Sequence, residues 1–241
     1  MFLFFSRKRN ILDTGLLANK TDVHCHLLPG VDDGVRTEAE AVAALKALNE
    51  SGITRFIFTP HVMEEMPDNT AGRLRQRFEA FLALVPSGME VRLAAEYMLD
   101  GCFRSHLESG LLLMGGSHVL VETSYLSAPP DMRQLLYEVV LAGYTPVIAH
   151  PERYVYMEGG GYGKWKEAGC KFQLNLLSLG GYYGRYAYEV SHKLLKRGMY
   201  DYAGTDFHNL KKHSRGMEHL QLTASEQKLV GLLLENNSTL W

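Results

Sequence analysis

The chain has 241 residues, 46% hydrophobic and 22% charged, which excludes a disordered, collagenous or low-complexity protein. Its 25 Lys and Arg against 27 Asp and Glu leave a formal charge of −2, which argues against a general nucleic-acid binder. Ten histidines are the compositional oddity, and their positions matter more than their number.

The N-terminus runs from Met1-Phe2-Leu3-Phe4-Phe5 into Ser6-Arg7-Lys8-Arg9. Charge after a short apolar run is the reverse of a signal peptide. No stretch approaches the ~18 apolar residues of a membrane-crossing helix, so a cytoplasmic protein is expected. The Phe-rich tip reads either as an end packed on the body or as a peripheral membrane contact. Cys25, Cys102 and Cys170 are odd in number and widely spaced, which suits a reducing compartment.

Short β-rich runs are expected at Thr21–His24, Arg55–Thr59, Val91–Ala95, His118–Val121, Thr145–Ala149, Lys171–Leu174 and Tyr200–Gly204. Helical patterns lie between most of them. Thr37 and Glu40 form a capping box ahead of Val42, Leu45 and Leu48, and Gly52 stops that helix. Pro130 opens a second, with Met132, Leu135, Leu136, Val139 and Val140 on one face. A third carries Val190, Leu194 and Leu195. A last one starts at Thr223 with Glu226 as a second capping box and runs through Leu229, Val230, Leu232, Leu233 and Leu234. Gly159-Gly160-Gly161-Tyr162-Gly163 reads as a loop and lacks the Lys-Ser/Thr ending of a phosphate cradle. Strands alternating with helices imply a parallel sheet with helices outside it, either closed or open. One domain over residues 1–241 is expected, with an extension at 1–20 and a helical tail at 216–241.

The metal-type side chains cluster just after the strands: His24-Cys25-His26, Thr59-Pro60-His61, Glu96, Glu122, His150-Pro151-Glu152-Arg153 and Asp206-Phe207-His208. In a parallel α/β barrel these ends share one face, where active sites are built. Alternation along a strand places His24 and His26 on the same side, and Asp206 and His208 share that spacing. A single histidine at a strand end is an ordinary rim residue; this many together point to a metal centre. Imidazole and carboxylate without thiolate favour Mn, Fe or Zn, and the set is too large for one ion.

His24-Cys25-His26-Leu27-Leu28-Pro29-Gly30-Val31-Asp32-Asp33-Gly34, with the His61, His150–Arg153 and Asp206–His208 motifs, resembles the polymerase and histidinol phosphatase (PHP) superfamily. Within it, the chain is most similar to the bacterial capsule and exopolysaccharide branch of manganese-dependent protein-tyrosine phosphatases. The resemblance implies a distorted seven-stranded (β/α) TIM-like barrel. It also implies two to three divalent ions, Mn foremost, with Fe, Zn or Mg as alternatives. The implied ligands are His24, His26, Asp33, His61, Glu96, Glu122, His150, Asp206 and His208; Asp32-Asp33-Gly34 reads equally as an ordinary turn. Arg153 matches a phosphate-binding arginine, against the plainer reading of a rim salt bridge. Arg215 is a candidate for a second, although its spacing departs from the pattern and Lys211 and Lys212 stand nearby.

The implied reaction is phosphotyrosine hydrolysis by a metal-bound hydroxide on the tail of a bacterial tyrosine autokinase that controls capsule or exopolysaccharide synthesis. A histidinol-phosphatase-like small-molecule phosphomonoesterase, an amidohydrolase-type enzyme and a non-catalytic binding module are the alternatives. Cysteine catalysis is excluded, because the positions six beyond the cysteines hold Val31, Glu108 and Leu176 and not Arg. Tyr182, Tyr183, Tyr186 and Tyr188 read as surface packing, a substrate groove or phosphorylation sites.

Overall fold

The structure, a computed structural model, describes residues 7–158 and 161–241. The Phe-rich tip therefore lies outside the described residues, as do Gly159 and Gly160. In chain order the elements are β1 (Arg9–Asn10), β2 (Lys20–Cys25), α1 (Glu38–Glu50), β3 (Ile53–Phe58), β4 (His61–Val62), α2 (Ala71–Phe81), β5 (Glu90–Leu93), β6 (Glu96–Met98) and α3 (Phe103–Ser109). Next come β7 (His118–Glu122), α4 (Met132–Leu141), β8 (Thr145–Ala149), α5 (Gly161–Glu167), β9 (Lys171–Asn175), α6 (Leu176–Leu179) and α7 (Gly184–Lys196). The chain ends with β10 (Tyr202–Gly204), α8 (Leu210–His219), β11 (Gln221–Leu222) and α9 (Ala224–Asn236).

Local chemistry sets the helix starts. Thr37 and Thr223 each accept from the backbone of the glutamate three residues on, and Glu40 and Glu226 reach back, so both capping boxes form. On α4, Met132, Leu135, Leu136 and Val139 are buried, while Val140 is 42% exposed and falls off the packed stripe. Leu232 likewise faces outward on α9. Gly161 opens α5, so the glycine-rich segment is not wholly a loop.

The strands form a mixed α/β core of two parallel sheets. One runs β2-β3-β5; the other runs β10-β9-β8-β7-β6-β4; β1 and β11 make a separate antiparallel pair. The expected strands Arg55–Thr59 and Val91–Ala95 appear as β3 and β5, and each is followed by a short strand, β4 or β6, that joins the other sheet. Thr59-Pro60 separates β3 from β4, where proline has no N–H to donate to a ladder. Ala94-Ala95 separates β5 from β6, and the bonds Ala94 N to Phe58 O (2.8 Å) and Glu96 N to Pro60 O (3.1 Å) carry the pairing across the break.

The sheets meet again between β2 and β10. Cys25 bridges Phe207 in parallel, Asp206 N donates to His24 O (2.8 Å) and His26 N donates to Phe207 O (2.8 Å). Lower on this seam, Asp22 accepts from the Thr205 backbone (3.0 Å) and from its hydroxyl. Asn237, just past α9, spans the seam: its Nδ2 donates to Thr21 O (2.8 Å) and Ala203 O (2.7 Å), and its Oδ1 accepts from Ala203 N (3.1 Å). The main hydrophobic core lies between strands and helices. A second cluster draws Val23, Ile57, Leu120, Val147 and Tyr202 from strands of both sheets, and Leu240 of the tail joins it. Among the described residues no helix is long and apolar enough to cross a membrane.

Candidate metal centre

Six of the nine expected ligands sit at or just past the carboxyl end of a strand, and two more open the short strands that follow β3 and β5. His24 lies on β2 and His26 just beyond it; His61 opens β4, Glu96 opens β6, Glu122 closes β7, His150 follows β8, and Asp206 and His208 follow β10. Asp33 comes instead from the loop between β2 and α1. His150 and Asp206 adopt left-handed backbone angles, φ +32° and +51°, unusual for non-glycine residues and costing ~1–3 kcal/mol each. The turns they make re-aim the chain at two ligand positions.

The side chains converge as three donor groups: His26, Asp33, His61 and His208; His24, Glu96, His150 and Asp206; and His61, Glu96 and Glu122. His61 and Glu96 belong to two groups each. Glu96 Oε2 lies 3.1 Å from His24 Nε2, 3.3 Å from His26 Nε2 and 3.3 Å from His61 Nδ1, while its Oε1 lies 3.1 Å from His150 Nε2. Asp206 Oδ1 stands 3.4 Å from Nε2 of both His24 and His26. Ligand atoms at ~2.0–2.2 Å from a shared ion are themselves ~3.0–3.5 Å apart, the spacing these atoms keep. His61 Nδ1 is 2.9 Å from Glu122 Oε1 yet makes no hydrogen bond, so the two aim at common space and not at each other. The donor set therefore fits divalent ions.

A second layer of partners fixes which imidazole nitrogen faces inward. His26 Nδ1 bonds Asp32 Oδ2 (2.8 Å), His24 Nδ1 bonds Gln173 Oε1 (2.9 Å) and His208 Nδ1 bonds the Asp206 carbonyl (2.9 Å). Each leaves Nε2 to the centre. Asp32 also accepts from the His61 backbone (3.1 Å) and from Gly34 N (3.0 Å). Gly34 admits no side chain, since a Cβ there would sit 2.2 Å from His26 O. The sequence reading passed over Asp32 and Gln173; the only signal was the acidic pair Asp32-Asp33. Replacing Asp32 with Ala is expected to weaken metal binding ~10–100-fold by isothermal titration, with helix content unchanged.

The field of the site favours cations. Glu96, Glu122 and Asp206 are buried, a costly position for charge without compensation. Burial opposes ionisation of Glu96 and Asp206, but the His24 imidazole and its neighbours outweigh it and hold both well below the carboxylate range. Hydrogen bonds from His208 and His61 draw Asp33 down as well. Burial and the neighbouring His26 disfavour a charged His61, yet Asp33, Glu122 and Glu96 raise it to about 10.

Seven of the nine expected ligands line a cavity of about 840 Å³; His24 and His26 are fully buried and do not. Arg153 lines it too: its Nη1 donates to Asp206 Oδ2 (3.0 Å), which also accepts from Asn175 Nδ2 (2.9 Å) and the Tyr183 hydroxyl (3.3 Å). Asp206 thus faces the ligand histidines with one oxygen and Arg153 with the other. Glu152 is no ligand; it is fully buried and ties Asn175 N, Ser178 and Tyr200 together. Arg215 is exposed on α8 and does not line the cavity, whereas Lys211, Lys212 and the buried His213 do. Cys25 is buried, and burial with the nearby Asp22 pushes its thiol well up, so it is no nucleophile.

The family model for capsular polysaccharide synthesis, CpsB/CapC, matches residues 20–239. The chain belongs to that family. Its CpsB/CapC relatives include the tyrosine-protein phosphatase YwqE of Bacillus subtilis, 29% identical over 202 residues covering 79% of this chain and 78% of YwqE. The tyrosine-protein phosphatase CpsB of Streptococcus pneumoniae is 24% identical over 201 residues, covering 78% of this chain and 83% of CpsB. A crystal structure from work on YwqE and CpsB, described there as metal-dependent tyrosine phosphatases, superposes with TM-score 0.79 and 27% identity over 91% of this chain and 93% of that one. The phosphotriesterase homology protein of Escherichia coli, 13% identical with TM-score 0.55 over 92% of this chain and 98% of that one, shares the fold alone.

Proposed function

We propose that this chain is a metal-dependent protein-tyrosine phosphatase acting on the tyrosine-rich tail of a bacterial autokinase, with strands β2 to β10 closing as a distorted barrel that is seven-stranded when β3 with β4 and β5 with β6 each count as one. The observation that carries it is the three donor groups sharing His61 and Glu96 beside Arg153 in one cavity. Two or three divalent ions, Mn foremost, would be held by His24, His26, Asp33, His61, Glu96, Glu122, His150, Asp206 and His208. When bound they supply Lewis acidity, lower the pKa of water and offset phosphoryl charge.

The chain's own residues do the rest. Glu96 ties two donor groups into one charged unit. Arg153 offers a permanently charged fork to the phosphoryl oxygens while Asp206 holds one of its nitrogens. The exposed rings of Tyr125 and Tyr182 line the cavity and offer faces on which an aromatic ester can pack. Phenolate leaves readily, its conjugate acid having a pKa of ~10, so a strong general acid is not required.

Mn²⁺-loaded protein is expected to release phosphate from phosphotyrosine peptides, faster than from histidinol phosphate. Arg153→Ala should lower the rate ~100–1,000-fold, and iodoacetamide should leave it unchanged because Cys25 is buried. Absence of phosphate release sinks the reading; a preference for histidinol phosphate overturns the substrate class.

A further inference from the structure

Arg153 is held in an unusual way. Its guanidinium carbon lies 4.2 Å from the ring centre of Tyr125 and 4.1 Å from that of Tyr183. The two tyrosines come from different segments, Tyr125 from the loop after β7 and Tyr183 from the turn before α7. Tyr125 is itself braced: Tyr154 stacks on it at 22°, Tyr156 stacks on Tyr154 at 17°, and Val155 N donates to the Tyr125 carbonyl (3.1 Å). Tyr183 is fixed by its hydroxyl bond to Asp206 and by an edge contact from Tyr182.

We propose that Tyr125 and Tyr183 are positioning residues that clamp Arg153 between their ring faces and so hold its guanidinium ready for the phosphoryl group. The inference rests on the phosphatase reading above and deepens it. A free arginine side chain carries much rotamer entropy, and ordering it on substrate costs affinity. The two ring faces and the Asp206 bond fix the plane in advance, so little remains to be ordered when an anion arrives. Aromatic faces also attract the cation without neutralising it, as a second carboxylate would, so the charge stays available. Arg153 is largely buried, which strengthens both effects.

The clamp acts through Arg153, so its loss should show in anion binding more than in the chemical step. Tyr125→Leu is expected to raise the KM for p-nitrophenyl phosphate and the inhibition constant of inorganic phosphate together, about tenfold, with kcat changed less. Tyr125→Phe keeps the ring face and should restore both. Tyr183→Phe should also retain phosphate affinity, and Tyr183→Leu should lose it. Thermal melting of each Mn²⁺-loaded variant checks the fold; if Tyr125→Leu does not fold, the Tyr183 pair carries the same test.

Wild-type protein that releases no phosphate brings down the phosphatase reading and this inference with it. An active wild type matched by both leucine variants overturns the clamp alone. So does a Phe variant as impaired as its Leu partner, because the hydroxyl and not the face would then be at work.

Discussion

Glu96→Gln is expected to reduce phosphatase activity on the order of a thousandfold and to lower the number of Mn²⁺ ions bound per chain. Both oxygens of Glu96 are committed, one to three imidazoles within 3.3 Å and the other to His150. The amide keeps the shape but loses the charge and turns one acceptor into a donor pointed at ligand nitrogens. Metal stabilisation of a transition state amounts to several kcal/mol, and ~4 kcal/mol is a thousandfold in rate. Chelation should mimic the loss in the native protein, reversibly, because imidazoles can take up protons where ions sat. His61, raised to about 10 from 6.5, sets the sign. Stability from a raised imidazole is full below 6.5 and fades as pH climbs through about 10. The chelated protein should therefore melt lower at pH 9 than at pH 6.5, and the melting-temperature gain on adding Mn²⁺ should grow with pH. Metal analysis, activity and melting curves read all three; unchanged metal content in Glu96→Gln would falsify the shared-ligand role.

The convergence of these donor side chains was legible in the sequence because strand ends recur at one place in each β/α unit. His24 and His26 needed only the alternation of a strand, and their Nε2 atoms do lie 3.2 Å apart. Asp33 was legible only through resemblance, since nothing local separates a ligand from a turn aspartate; the structure places its Oδ1 3.2 Å from His208 Nε2. Partners that act across the fold were out of reach. Gln173 is one buried polar residue among many until it meets His24, 149 positions away. Tyr125 carried no motif, and Tyr183 stood out only as one of four tyrosines read as surface packing, a substrate groove or phosphorylation sites. Strands β4 and β6 escaped for another reason: at two and three residues they are too short for a period to show, and they lie beyond the ends of the expected strands. Arg215 failed on register. The helix of Leu210–His219 turns it to solvent and brings Lys211, Lys212 and His213 to the cavity instead.

The tail, too, had no role in the sequence reading, and Asn237 gives it one. Asn237→Ala is expected to cost about 3 kcal/mol. The side chain is fully buried, and its three hydrogen bonds all fall on backbone groups of β2 and β10, Thr21 O, Ala203 O and Ala203 N. Alanine would leave these groups unpaired, each at ~1–3 kcal/mol before any water enters. For a chain of this size the melting temperature should fall by ~6–12 °C. Ser238→Ala, one residue on and exposed, should stay within ~0.5 kcal/mol of wild type. The seam matters for the site as well. Gly204 packs so tightly on β2 that a Cβ would lie 2.7 Å from His24 Cβ, and Asp206 follows two residues later. Loosening the strands there separates His24 from Asp206, so the Mn²⁺ concentration needed for half-maximal activity should rise. The rate at saturating Mn²⁺ should recover, because every ligand is still present and ion binding re-closes the strands. A melting temperature unchanged from wild type would mean that the tail only covers the seam; a rate that stays low at saturating Mn²⁺ would mean that Asn237 shapes the site directly and not through strand closure.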